Sequence, residues 1–151
     1  MVCHASTKER IPLDVYGDGP LMNYLRERFG TSPWIQFHGY INDPWELIGR
    51  NKILVSCSKH EGDGRVIAEA IIQRQPILLI DTPDHRKFHL PEHHYFSNIG
   101  ELMRILSTHK DALVNSLRPP VELSNKEILN RDPLRVATVL MKKLTALYGA
   151  N

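Results

Sequence analysis

The sequence predicts an α/β domain in three layers, a parallel sheet with helices packed on both of its faces. Three observations carry this expectation. Short apolar runs recur four times between residues 12 and 80, each ending near a glycine or an acidic turn. The segments between them show apolar residues three and four positions apart, the spacing of a helix with one buried face. Pro and Gly fall between these segments and so punctuate structure. Strands separated by helices of about three turns imply parallel pairing with right-handed crossovers.

Taken in order, residues 12–16 (PLDVY) form a strand closed by Gly17-Asp18-Gly19-Pro20. Leu21, Leu25 and Phe29 then mark a helix ending at Gly30. Residues 34–38 (WIQFH) form a second strand ending at Gly39, and Asp43-Pro44 supplies an N-cap and first-turn proline for a short helix through Arg50. Residues 52–57 (KILVSC) are apolar on consecutive positions, as in a strand covered on both faces. After Gly64, the residues Val66, Ile67, Ala70 and Ile71 mark the buried face of a helix, and residues 76–80 (PILLI) make a fourth, buried strand. Beyond Asp81 the pattern loosens into a His-rich polar loop, a short run at Tyr95-Phe96, a helix over residues 99–108 and a polar segment over residues 118–132. An apolar helix over residues 133–148 closes the chain. Trp34, Phe37, Trp45 and Phe29 are assigned to the core.

Composition bounds what such a domain does. At 151 residues the chain is long enough for one domain with a real core. Hydrophobic residues at 42% and charged residues at 24% exclude disorder and collagen-like structure. Nineteen Lys plus Arg against seventeen Asp plus Glu leave +2, too little for a nucleic-acid partner. No apolar run approaches the roughly 20 residues of a membrane span, and MVCHASTKER lacks the apolar stretch of a secretory signal. A soluble, cytoplasmic protein is expected. Cys3, at a ragged start, and Cys57, inside an apolar run, fit reduced thiols.

In an open parallel sheet, ligands bind beyond the carboxyl ends of the strands. The corresponding loops are GDGP, GYIND, SKHEGDG and DTPDH. Glu61-Gly62-Asp63-Gly64 leads straight into a helix, whose free N–H groups favour an anion such as a phosphate. Glu69 lies two turns into that helix, on roughly the same side as its first residues, where a carboxylate can accept two ribose hydroxyls. By spacing alone, the simpler reading is the favoured one, with Glu61 a solvated loop acid and Glu69 an ordinary helix surface residue. His85, His89 and His93 recur at four-residue spacing with His94 alongside. On a continuous helix that spacing aligns ligands for zinc, but Pro83 and Pro91 break it, so a loop without a metal is expected, either solvated or touching the donor or a partner domain.

The order VYGDGPL, WIQFHGYI, ILVSCSKHEGDGRVIAEA, QPILLIDTP resembles the carboxy-terminal, donor-binding half of retaining nucleotide-sugar glycosyltransferases built from two Rossmann domains. The likeness covers about residues 12–83, and its core is the glutamate pair Glu61 and Glu69 in EGDGRVIAE. The resemblance implies that Glu61 contacts the transferred sugar as the catalytic residue. It also implies that the backbone of Gly62, Asp63, Gly64 and Arg65 holds sugar and diphosphate, and that Glu69 holds the ribose. Gly39, Tyr40 and Ile41 stand where the family binds the base, and Gly17 and Gly19 match its glycine turn. Asp63 replaces a usual aromatic residue and Arg65 an apolar one, leaving Arg65 to pair with a phosphate or to face solvent. Gln75 stands where the family has glycine, and Pro83-Asp84-His85 replaces a glycine pair. Only ten residues precede Ile11, so the expected domain is Rossmann-like but lacks its usual first strand, whose loop brings an Arg and a Lys to the diphosphate.

What the resemblance implies is a single donor-binding domain over residues 1–151. It would be half of an enzyme that transfers a sugar with retention from a UDP- or GDP-sugar to a carbohydrate or lipid-linked acceptor, in polysaccharide or glycoconjugate synthesis. Transfer would need an acceptor-binding domain or subunit, and that partner could bring peripheral membrane association. No cofactor is implied beyond the nucleotide-sugar donor. A non-catalytic nucleotide-sugar-binding module of the same fold, and an epimerase or phosphorylase half, remain the alternatives.

Overall fold

A computed structural model describes residues 2–108 and 110–123; the expected helix over residues 133–148 lies outside the described residues. The chain runs α1 (Val2–Glu9), β1 (Leu13–Tyr16), α2 (Met22–Phe29), β2 (Ile35–Gly39), a 3-10 turn (Pro44–Glu46), β3 (Leu54–Ser56), α3 (Arg65–Ile72), β4 (Ile77–Ile80), α4 (Pro83–Arg86), a second 3-10 turn (Glu92–His94), β5 (Tyr95–Phe96), α5 (Ile99–Leu106) and α6 (Lys110–Ser116). It is an α/β fold with parallel pairing throughout, Rossmann-like as expected.

The strands form two sheets, β1-β2 and β3-β4-β5. In the doubly wound order 3-2-1-4-5-6, a pair and a triplet are what remain when the strand at position 1 is left out. A polar link joins the two sheets: Lys52 Nζ, just before β3, donates to Asp14 Oδ2 on β1 at 2.5 Å.

Alternation along the triplet sets up the layers. Ile77 and Leu79 of β4, with Leu54 and Tyr95, pack against Ile67, Ala68, Ala70 and Ile71 of α3 and against Phe88 and Leu90. Leu78, Val55 and Phe96 face the other way, onto Leu102 and Met103 of α5, Leu117 and Ala5 of α1. Ile77, Leu78 and Leu79 are fully buried, each contributing about 1.5–3 kcal/mol. The start of α5 is fixed by a reciprocal cap, in which Asn98 Oδ1 accepts the Glu101 N–H at 3.0 Å and Glu101 Oε2 accepts the Ser97 N–H at 2.8 Å.

Several expectations need correction. The segment after Asp43-Pro44 makes a single turn instead of a helix to Arg50. Asp43 does not cap it through its side chain, and six residues before Gly49 are too few to hold a helix without a packed face. β3 packs on both faces as expected, Leu54 on the α3 side and Val55 on the α5 side, but as an edge strand paired only to β4 its residues are half-buried. Val66 points outward at 56% exposure, and Ala68 and Ile72 take its place in the buried face of α3. Trp34, Phe37, Trp45 and Phe29 are only partly buried, while Phe88, Tyr95 and Phe96 are the core aromatics. Cys3 is buried within α1, and burial pushes its thiol pKa up, as it does for Cys57. The His-rich stretch is not a solvated loop: His85 and His94 are fully buried. No helix among the described residues is long and apolar enough to cross a membrane.

Candidate functional site

Two glycine turns follow the β1-β2 pair. Gly17 (φ +104°) and Gly39 (φ +72°) adopt backbone that side-chain-bearing residues avoid, and the Gly17 N–H donates to the Gly39 carbonyl at 2.7 Å, binding the turns together. The Gly19 N–H donates to Asp18 Oδ1 at 2.8 Å. By alternation His38 lies on the face that carries Asp14 and Tyr16, and a register shift between Val15 and Tyr16 leaves Tyr16 opposite Gly39. The rings of His38 and Tyr16 stack at 4.4 Å, and His38 Nε2 lies 2.6 Å from Asp14 Oδ1. Burial pushes the Asp14 carboxyl up, but Lys52 and His38 outweigh it and hold it below the usual carboxylate range. Tyr40 is 75% exposed and Ile41 half-buried, so an aromatic face stands free beside Gly39.

The loop after β3 is held more tightly. Ser56, the last residue of β3, donates to Glu61 Oε1 at 3.4 Å and lies 3.3 Å from His85 Nε2. The Glu61 N–H donates to Asp84 Oδ2 at 3.1 Å. Both partners sit on α4, whose start is set by Thr82 accepting the His85 N–H. Lys87, and then the Glu61 N–H, hold the Asp84 carboxyl below the usual carboxylate range. Gly64 opens α3 in the left-handed conformation (φ +54°, ψ +38°), and a Cβ there would stand 2.5 Å from Phe88 Cζ. Glycine is therefore required twice over. The first turn of α3 carries neither a side-chain cap nor an acidic residue, which leaves its N–H groups available to an anion.

Glu69 lies about one turn into α3, not the expected two, because the helix starts only at Arg65, and it accepts a hydrogen bond from Trp45 Nε1 at 3.1 Å. The two glutamates are thus held by separate partners, Glu61 from α4 and Glu69 from the turn before β3. Arg65 faces solvent and pairs with Asp63 (Nε–Oδ2 3.2 Å). Gln75 is buried, its amide donating to the carbonyls of Lys52 (2.5 Å) and Gly49 (3.3 Å), so it staples the turn before β4 to the segment before β3. Among the described residues, no group of three or more His, Cys, Asp or Glu is placed to hold a metal ion. The histidines diverge instead: His85 Nδ1 turns to the Ile80 carbonyl, His94 Nδ1 to that of Ile77, and His93 Nε2 to that of Ser116.

The sequence expectations left out Ser56, Asp84 and Trp45 as site residues. The strand end before SKHEGDG and the Thr-Pro-Asp helix start were the available signals for the first two. Trp45 carried none, since an aromatic on a short apolar turn reads as packing.

No match is found among curated proteins or among solved structures. A family model, Glycosyl transferases group 1, matches residues 2–93, more than half of the chain, from α1 through the turn that follows α4. The matched stretch holds β1 to β4, both glycine turns, Glu61 and Glu69 together with Ser56, Asp84 and Trp45, and the chain belongs to the group 1 glycosyltransferase family.

Proposed function

We propose that this chain is the donor-binding half of a two-Rossmann-domain glycosyltransferase that moves a sugar, with retention, from a UDP- or GDP-sugar to a carbohydrate or lipid-linked acceptor held by another domain or subunit. The observation that carries the reading is the geometry around α3. An uncapped helix start follows a left-handed Gly64, with Glu61 fixed just before it and Glu69 fixed on it by Trp45. A helix start of this kind stabilises a diphosphate leaving group, and carboxylates on either side of it recognise hydroxyls. In this reading Glu61 meets the sugar, the backbone from Gly62 to Arg65 the diphosphate, and Glu69 the ribose. Gly39, Tyr40 and Ile41 meet the base beside the Gly17–Gly19 turn. Arg65, paired with Asp63 in solvent, is a reserve cation that can turn to the phosphates.

The test is a titration of the chain with UDP, GDP and their sugar conjugates, followed by calorimetry or, for millimolar affinities, by NMR. Glu69→Ala should weaken binding of the preferred nucleotide by roughly 10- to 150-fold, the value of a hydrogen-bonded charge. An unchanged affinity would remove Glu69 from the site.

A further inference from the structure

We propose that His85, acting through Ser56, sets the orientation of the Glu61 carboxylate and is a positioning residue for recognition of a sugar hydroxyl. The inference rests on the donor-binding reading, which it deepens. His85 is 0% exposed, so both ring nitrogens need partners within the protein. Nδ1 lies 2.6 Å from the Ile80 carbonyl, and a carbonyl only accepts, so Nδ1 carries a ring proton and, in the Nδ1–H tautomer that this bond selects, Nε2 presents a lone pair. That lone pair faces Ser56 Oγ at 3.3 Å. The same Oγ lies 3.4 Å from Glu61 Oε1, while Nε2 and Oε1 are 3.8 Å apart.

Counting protons gives the argument its direction. Two acceptors, an imidazole lone pair and a carboxylate oxygen, share one hydroxyl proton. The Ser58 N–H donates to the same Oγ at 3.4 Å and satisfies the oxygen, so the serine proton is the only donor facing both acceptors. Within the protein the trio is one donor short, and Glu61, at 24% side-chain exposure, takes the missing one from outside. A ligand hydroxyl donating to Glu61 supplies it, and the Ser56 hydroxyl, keeping its proton, then donates to His85 alone. An anionic ligand group supplies no donor and leaves the shortage in place. The site thus discriminates a hydroxyl from a phosphate at Glu61. The Glu61 backbone, tied to Asp84 of the same helix, keeps the carboxylate from swinging away.

Two substitutions separate positioning from mere packing. In His85→Asn the side-chain amide takes the place of Nδ1 and keeps the bond to Ile80 but removes the Nε2 contact. His85→Gln places an amide near Nε2. In the full chain, NMR of the imidazole nitrogens should show His85 as the Nδ1–H tautomer, with an Nε2 signal that moves in Ser56→Ala and in Glu61→Gln. His85→Asn should weaken binding of UDP-glucose or GDP-mannose, whichever the chain takes, by roughly 2- to 12-fold, the value of one neutral hydrogen bond. Binding of the matching nucleoside diphosphate should stay unchanged, and His85→Gln should recover part of the loss. Ser56→Ala carries the same split between sugar conjugate and diphosphate, and stands in where a substitution at 85 does not fold. Equal losses for both ligands, or an Nε2 signal indifferent to Ser56 and Glu61, overturn the positioning role while leaving donor binding intact. A wild-type chain that binds neither conjugate overturns the donor reading, and the role toward a sugar falls with it.

Discussion

Replacing Gly64 by alanine isolates what the left-handed start of α3 is worth. Two penalties add. The residue sits at φ +54° and ψ +38°, where a side chain costs about 1–2 kcal/mol. The new Cβ would stand 2.5 Å from Phe88 Cζ and 3.1 Å from Cε2, and Phe88 is itself buried among Ile67, Leu79 and Tyr95, so the ring has little room to yield. Overpacking of this kind costs about 1–3 kcal/mol. Stiffening the unfolded chain returns about 0.4–1 kcal/mol, leaving a net loss of about 1.5–4 kcal/mol. Urea denaturation reads this as a midpoint lower by about 1–2 M for a slope near 2 kcal/mol per M. Gly39 (φ +72°, nearest atom 3.7 Å) carries the backbone penalty without the clash, and Gly62 has no atom within 4 Å and no positive φ. The expected order of loss on substitution by alanine is therefore Gly64, then Gly39, then Gly62, the last close to zero. Phe88→Leu should relieve part of the loss in the Gly64→Ala background. If Gly64→Ala unfolds at the same midpoint as Gly62→Ala, both the conformation and the contact assigned to it are wrong.

Two further perturbations concern charge. Asp14, whose folded pKa is depressed, contributes stability that is present above its unfolded value of about 3.9 and lost as pH falls through the folded value. Lys52→Met should therefore cost about 0.2–1 kcal/mol at pH 7 and nothing once Asp14 is protonated in both states, as urea melts at pH 7 and pH 2 would show. Burial lowers the pKa of His94 to about 4, so below its ordinary value near 6.5 the unfolded chain binds the extra proton first and stability falls with pH, by roughly 2–4 kcal/mol in all, until pH 4. His94→Asn, which can still donate to the Ile77 carbonyl, should flatten that slope; an identical slope in variant and wild type would refute the assignment.

How much of this was readable from residue order varies with the range of the forces involved. α3 and β4 were legible because both signals are local: a glycine at the helix start, then apolar spacing, then a continuous apolar run. Glu61 and Glu69 are singled out only by the family likeness of EGDGRVIAE, and the structure supplies partners for each one. Those partners come from far along the chain, His85 to Ser56 across 29 positions and Trp45 to Glu69 across 24, and no periodicity encodes such pairings. Histidine is the clearest failure. Composition reads it as polar, yet His85 and His94 are buried because the carbonyls of Ile80 and Ile77 accept their ring protons. The division of the sheet was legible only through the family likeness, which implies that the first strand is missing; nothing in β1 or β3 themselves reveals which of their edges goes unpaired.

The division has a further consequence for how the molecule holds a ligand. Nearly all fully buried side chains belong to the triplet and its helices, whereas β1, α2 and β2 contribute only Ile35 to the buried set. The two halves are therefore unequal in cooperativity. Of the two sheets, the pair, joined to the triplet by Asp14 and Lys52, is expected to open locally at the lower free energy. Its glycine turns and the exposed ring of Tyr40 then fluctuate more than the well-buttressed loop at Glu61. A ligand bridging both halves must quiet that motion out of its own binding energy. Anchoring would begin at α3, with closure of the β1-β2 side as the step that follows.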